Sequence, residues 1–226
     1  MNQYILFIDT ETSDVPVDLT KPYSEPNIWP FAIQISWCIY TKAGKKIKEQ
    51  SYFINNKDIR VSADSLKIHS ISKQTLQDYG ISRKTVLQML QSDVAQYNPL
   101  LVGHFLQLDY HIIGADAYRE KMINPLQLLP TFCTMLATKH LVKNPCITYL
   151  KLCDLYDMLF NKPLANTHNA LCDAVATANC FFELVKLKEI TSFNQPPIPS
   201  NHSEIISKKS WLSTSSFIIF ITSLTS

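Results

Sequence analysis

Tyr4-Ile5-Leu6-Phe7-Ile8-Asp9-Thr10-Glu11-Thr12 runs from an unbroken apolar and aromatic stretch straight into two acids two residues apart. An uninterrupted β-favouring run of this length suits a strand buried on both faces, as in the sheet of an α/β protein. Residues two apart on an extended chain point to the same side, so Asp9 and Glu11 converge where the strand leaves the core. Two facing carboxylates at the edge of a core repel each other and lose hydration. Divalent cations offset that cost by coordinating their oxygens. Taken alone, Asp9 serves equally well as the cap of a turn.

Outward from this strand, Phe31 to Tyr40 and a stretch around Ser51 to Ile54 flank Lys42-Ala43-Gly44-Lys45, whose glycine predicts a turn and an antiparallel hairpin. The polar, proline-punctuated residues Ser13 to Pro30 predict a surface loop beside the first carboxylates. Ser82 is placed to cap a helix over 83–97, with Val86, Leu87, Leu90 and Val94 at helical spacing and Asn98-Pro99 ending it. Leu100 to Val102 predicts a short fourth strand. Leu108, Ile112 and Ala115 share one face of the next helix. A strand-like piece follows at 131–135, and a helical one at 148–159. The last helix, 170–188, gathers Leu171, Ala174, Val175, Ala178, Phe182 and Val185 on one side. The expected order is β-β-β-α-β-α-β-α-α, an α/β fold whose five-stranded mixed sheet has its first three strands antiparallel and helices on its flanks.

A chain of 226 residues that is 46% hydrophobic can bury one sizeable core but hardly two, so a single domain is placed at 1–188. The formal charge of +2 carries no general electrostatic footprint for a polyanion, and any nucleic-acid groove must be local. From Glu189 the composition turns to Ser, Pro, Asn and Gln, including Gln195-Pro196-Pro197-Ile198-Pro199, which reads as a linker within 189–226. It leads to an apolar tail, Trp211 to Leu224, too short and too rich in Ser and Thr for a membrane span. The cysteines form no CxxC pair and no zinc-type spacing with histidine, so they read as reduced, mostly buried thiols. Met1-Asn2-Gln3 lacks the basic region of a signal peptide, which predicts a cytoplasmic location.

Two further segments carry acids at helix starts. In Gly103-His104-Phe105-Leu106-Gln107-Leu108-Asp109 the acid falls in the first turn, where the helix dipole favours an anion even without function. In His168-Asn169-Ala170-Leu171-Cys172-Asp173 the histidine sits in the lead-in and Asp173 lies about one and a half turns further on. Ala176 and Thr177 beside it are small enough to let that carboxylate approach the sheet. Alone, each segment has a plainer reading: a helix-start residue, or a surface histidine beside a solvated aspartate.

In this order, Asp-x-Glu, Asp and His-x-Ala-x-x-Asp together resemble the three motifs of the DEDDh (DnaQ-like) 3′→5′ exonucleases, of ribonuclease H-like fold, over residues 4–188. The resemblance implies that Asp9, Glu11, Asp109 and Asp173 hold two divalent cations, with Asp9 bridging them, and that His168 is the general base. An all-oxygen donor set implies Mg²⁺ or Mn²⁺. Ile68-His69-Ser70-Ile71 looks like the family's His-Gly-Ile segment, which lies against the 3′ nucleotide, and Cys133-Thr134-Met135-Leu136 looks like the segment after the fifth strand. Three positions depart from the pattern: Asp14 and Ser70 stand where glycine is usual, and Phe105 where asparagine is common. None is a ligand, so they bear on substrate fit.

The implied substrate is the 3′ end of single-stranded DNA, cut to nucleoside 5′-monophosphates in proofreading or repair. Two alternatives stay open: an RNA-trimming exoribonuclease, and a non-catalytic nucleic-acid or polymerase-binding module. Thr12, His69 and Phe105 are the candidate contacts to terminal nucleotides, although an aromatic at a strand end also suits a core. The tail Trp211 to Leu224 is a candidate peptide for docking on a DNA polymerase subunit.

Overall fold

Five strands form one mixed sheet in the computed structural model, which describes residues 3–193 together with 195 and 198. β1 (Tyr4–Thr12), β2 (Ala32–Thr41) and β3 (Lys46–Phe53) pair antiparallel. β4 (Leu100–Gly103) and β5 (Thr131–Cys133) extend the sheet parallel to β1, in the order β3-β2-β1-β4-β5. The helices are α1 (Ala63–His69), α2 (Lys73–Tyr79), α3 (Arg83–Tyr97), α4 (Leu106–Arg119), α5 (Thr134–Ala137), α6 (Leu152–Phe160) and α7 (Ala170–Lys186).

β1 lies at the centre of the sheet, and its alternate side chains enter two different cores. Leu6 and Ile8 pack on one face with Val86, Leu87, Leu90, Ile112 and Ile113, from α3 and α4. Ile5 and Phe7 pack on the other with Leu155, Ala178, Phe181 and Leu184, from α6 and α7. Each fully buried side chain of this size is worth about 1.5–3 kcal/mol, which is why this strand shows no polar alternation. β3, at the sheet edge, does alternate, and it carries Lys46 and Lys48, charges of the kind that blunt an open edge. The β2–β3 turn needs a positive φ, and Gly44 supplies it at 80°.

The structure moves several expected boundaries. β3 begins at Lys46 rather than near Ser51, because its polar half is still paired along β2. The piece at 131–135 divides into β5 and the short α5. The helix expected from 148 begins at Leu152, since His104 Nε2 holds the Leu150 carbonyl at 2.9 Å and keeps that stretch irregular. α1 and α2 carry no apolar period in the sequence. They are single short helices capped by the hydroxyls of Ser62 and Ser72, which accept the N–H groups of Ser65 and Thr75.

The loop 13–30 is irregular but firmly tied. Ser13 exchanges hydrogen bonds with the backbone of Phe31 and accepts the Ser62 N–H at its own carbonyl. Arg119 donates to the carbonyls of Trp29 and Pro30 and to Asp116. Arg83, buried, bonds Asp58, Asp116 and Glu120.

The expected end of the domain at Lys188 falls inside packed structure. Ile190 is buried, Phe193 stacks on Phe181 at 5.5 Å, and the Gln195 amide pairs with both backbone groups of Cys133. Those apolar residues and that strand-edge amide occupy a side of β5 that would otherwise be open. Trp211 to Leu224, the candidate docking tail, lies outside the described residues. None of the six cysteines is paired; Cys38, Cys133 and Cys180 are buried, so only half of the set is. No helix among the described residues is long and apolar enough to cross a membrane.

Candidate active site

The two-faced burial of β1 decides where its acids point. Asp9 and Glu11 share the face of Ile5 and Phe7, toward α7, whereas Thr10 shares the face of Leu6 and Ile8, toward α4. α7 delivers Asp173 from its first turn, and one oxygen from each of Asp9, Glu11 and Asp173 lies within 4.8 Å of the others. Asp109 arrives from the opposite layer, in the first turn of α4. Thr10 Oγ1 donates to its Oδ1 at 2.8 Å and anchors it there. Asp109 therefore stands just outside the triad, close enough to repel Asp9 and Glu11.

These four acids hold protons far more tightly than free carboxyls. Burial raises Asp9 well above the usual range, and Asp109, Asp173 and Glu11 add their repulsion. Burial and the charges of Asp173 and Asp109 push Glu11 up to about 8. Asp109 rises to about 7 by burial, against the hydrogen bonds from Thr10. Asp173 rises to about 6 by burial, against the backbone N–H of His168. Clustered, half-dehydrated carboxylates of this kind are the hard oxygen donors that a divalent cation prefers. Asp173 Oδ1, moreover, is buried without a hydrogen-bond partner. The residues present therefore fit divalent metal.

His168 sits on the lead-in to α7 with a left-handed backbone, φ 63°, and its N–H donates to Asp173 Oδ2 at 3.0 Å. Burial, helped by the positive charge of Lys151, keeps its imidazole below the usual pKa and hence neutral near pH 7. Asn169 caps α7 by accepting the N–H groups of Leu171 and Cys172. Ala170 N–H goes elsewhere, to Gln34 Oε1 on β2 at 3.2 Å.

The candidate substrate contacts divide. His69, at the end of α1, accepts the Ile71 N–H on Nδ1 at 2.9 Å, which assigns its proton to Nε2. Burial lowers its pKa, the backbone of Thr12 opposes the shift, and His168 adds to it. Thr12, His69 and His168 thus stand together on one flank of the acids. Ser70, where the family pattern has glycine, is the left-handed C-cap of α1 at φ 57°, a conformation that glycine adopts without strain. Phe105 stands apart from this group. It is 5% exposed and belongs to the core between the sheet and α4, so its ring offers no open face to a base.

Sequence reading passed over Thr10, Ser13, Gln34 and Lys151. A threonine near the end of a strand or a serine opening a loop carries no signal of what it will meet across the fold. Asn169 did carry one, as an N-cap type directly before an apolar-periodic helix.

The exonuclease family model RNase_T matches residues 6–181. No curated protein sequence matches the chain. Among solved structures, exonuclease I is similar at 14% identity and a TM-score of 0.66, covering 81% of this chain and 41% of its own. E. coli exonuclease I in complex with a dT13 oligonucleotide gives 14% identity and a TM-score of 0.65, with coverages of 81% and 41%. A 3′-exonuclease in a structure of 3′-end specific recognition of histone mRNA stem-loop gives 11% and 0.66, and 82% of each chain is covered. The chain thus spans about two fifths of exonuclease I, and these likenesses at low identity establish the shared fold. Matched by that model from within β1 through the other four strands and on past Asp173, and built on a ribonuclease H-like sheet, the chain belongs to the RNase_T exonuclease family.

Proposed function

We propose that the protein removes nucleotides one at a time from the 3′ ends of single-stranded nucleic acid, DNA in preference to RNA, by metal-dependent hydrolysis. The observation that carries this reading is the convergence of Asp9, Glu11 and Asp173 within 4.8 Å, with Asp109 beside them and His168 at the rim. Asp9, Glu11 and Asp173 would hold one Mg²⁺ or Mn²⁺, and Asp9 with Asp109 a second. When bound, such a pair lowers the pKa of water and stabilises charge on the phosphoryl oxygens.

The remaining chemistry belongs to the chain. His168, neutral near pH 7, accepts the proton of the attacking water on its imidazole. The water oxygen bonds to phosphorus, the bond from phosphorus to the 3′ oxygen breaks, and that oxygen takes a proton from solvent, leaving a nucleoside 5′-monophosphate. His69 stands beside Thr12 with its Nε2–H buried, and this reading assigns that donor to the terminal nucleotide.

Retention of all four acids and the histidine argues against a purely binding module. RNA is the one specific rival substrate, because the similar 3′-exonuclease recognises a histone mRNA stem-loop. The test is digestion of 5′-labelled single-stranded DNA and its RNA counterpart with Mg²⁺ or Mn²⁺, wild type against Asp9→Ala and His168→Ala. Stepwise shortening by the wild type alone is expected, faster on DNA. Faster shortening of RNA would replace the substrate, and none of either would leave a binding module.

A further inference from the structure

Gln34 is buried near the start of β2, 2% exposed, directly opposite Glu11 in the β1–β2 register. Side chains paired this way share a sheet face, so Gln34 looks toward α7 as Glu11 does. A buried amide so placed must satisfy both ends, and this one does. Its Oε1 accepts the Ala170 N–H at 3.2 Å, and its Nε2 donates to Ser51 Oγ at 3.1 Å, which in turn bonds Ser36 Oγ at 2.8 Å. Ala170 is the first residue of α7, and its N–H is one of the donors that a helix start leaves without an internal partner.

We infer that Gln34 is a positioning residue for the metal site, clamping the start of α7 to the strand opposite Glu11 and so setting the distance from Asp173 to Asp9 and Glu11. Three observations converge on that role. The clamp joins α7, which supplies Asp173, to the strand paired with β1, which supplies Asp9 and Glu11. It acts on the residue between His168 and Asp173, and Asn169, which caps the next two N–H groups, leaves the Ala170 N–H to Gln34. It is also anchored at its far end by the Ser51 hydroxyl on the edge strand, itself bonded by the buried Ser36 hydroxyl, so both ends of the amide have partners within the fold. The His168 N–H bond to Asp173 spans only the turn itself and cannot fix that turn against the sheet. The inference rests on the proposed metal-dependent reading of this site.

The experiment measures Mn²⁺ binding by calorimetry on the purified full chain, together with kcat and KM on a single-stranded oligonucleotide. Gln34→Met keeps the side-chain length and deletes both hydrogen bonds. Ala170→Pro deletes the same bond from the donor side at a position where proline's fixed φ suits a helix start. Each is expected to weaken Mn²⁺ binding by roughly 10-fold, the scale typical of lost outer-sphere support, and to lower kcat with KM within about twofold. Because both remove the same bond between Gln34 and Ala170, the double variant should be no worse than the poorer single. Mn²⁺ affinity and kcat unchanged in folded Gln34→Met overturn the inference. If that variant does not fold, unchanged affinity in Ala170→Pro overturns it instead. Additive losses in the double variant also overturn it. A wild type that degrades no nucleic acid, with Mn²⁺ binding still weakened in both variants, would refute the exonuclease reading and leave the positioning role standing.

Discussion

At the scale of single residues, the site is a set of acids kept partly protonated by burial and, for Asp9, Glu11 and Asp109, by one another's charge. Glu11 near 8 and Asp109 near 7 bind protons more tightly folded than unfolded, where such groups titrate near 4. Their contribution to stability is therefore present at low pH and lost as pH rises through those values. Buried His104 and His111, both held down to about 4, work in the opposite sense, but only below about 6.5. Between pH 6.5 and 8 the acids act alone. Metal-free protein in EDTA should lose stability across that window, by up to about 1.4 kcal/mol per pH unit for each titrating carboxyl. Mn²⁺ should raise the melting temperature more at pH 8 than at pH 6.5, and Glu11→Gln should flatten the metal-free slope. A metal-free melting temperature that is level from 6.5 to 8 contradicts this account. His168 makes the second prediction. At saturating metal, kcat should fall on the acid side with a midpoint below 6.5. Lys151→Ala should move that midpoint upward, by removing a charge that opposes protonation. His168→Ala should lower kcat by roughly 10²–10⁴; an acid limb surviving unchanged in that variant would exclude His168 as the base.

At the scale of elements, α7 matters most, since it brings Asp173 to the sheet and seals the second core. Its start is held by Asn169 from inside the helix and by Gln34 from outside. Asn169→Ala should cost about 1 kcal/mol by thermal or urea unfolding, the usual worth of a cap. A stability change within a few tenths of that of the wild type would mean the cap is redundant. The helices with a repeating apolar face, α3, α4 and α7, were readable within a few residues. α1 and α2 were not, because each is too short for a period to show and is held by serine caps and by the loop that Ser13 ties down. α1 nonetheless carries His69, so a site residue was legible from its motif when its helix was not.

For the whole molecule, the described residues just past α7 belong to the fold. Ile190, Phe193 and Gln195 cover the side of β5, the edge strand nearest the second core. A chain ending at Lys188 would expose Phe132 and Phe181 and free the Cys133 backbone. It should unfold roughly 2–4 kcal/mol more easily than the full chain, the scale of losing buried aromatic and aliphatic side chains. Equal urea midpoints for the two would return the domain boundary to 188. The sequence by itself determined the α/β class, the central strand buried on both faces, and the three motifs that bear the acids and His168. Each is written in neighbouring residues, as an apolar run, a spacing of two, or a helix start. Only the tertiary structure decided that Asp109 stands outside the triad on Thr10, that Phe105 belongs to the core, and that Gln34 clamps α7. It also decided that Ile190, Phe193 and Gln195 pack against the sheet. Those outcomes depend on which faces meet across the fold, and contacts between residues far apart in sequence leave no local period or composition to read.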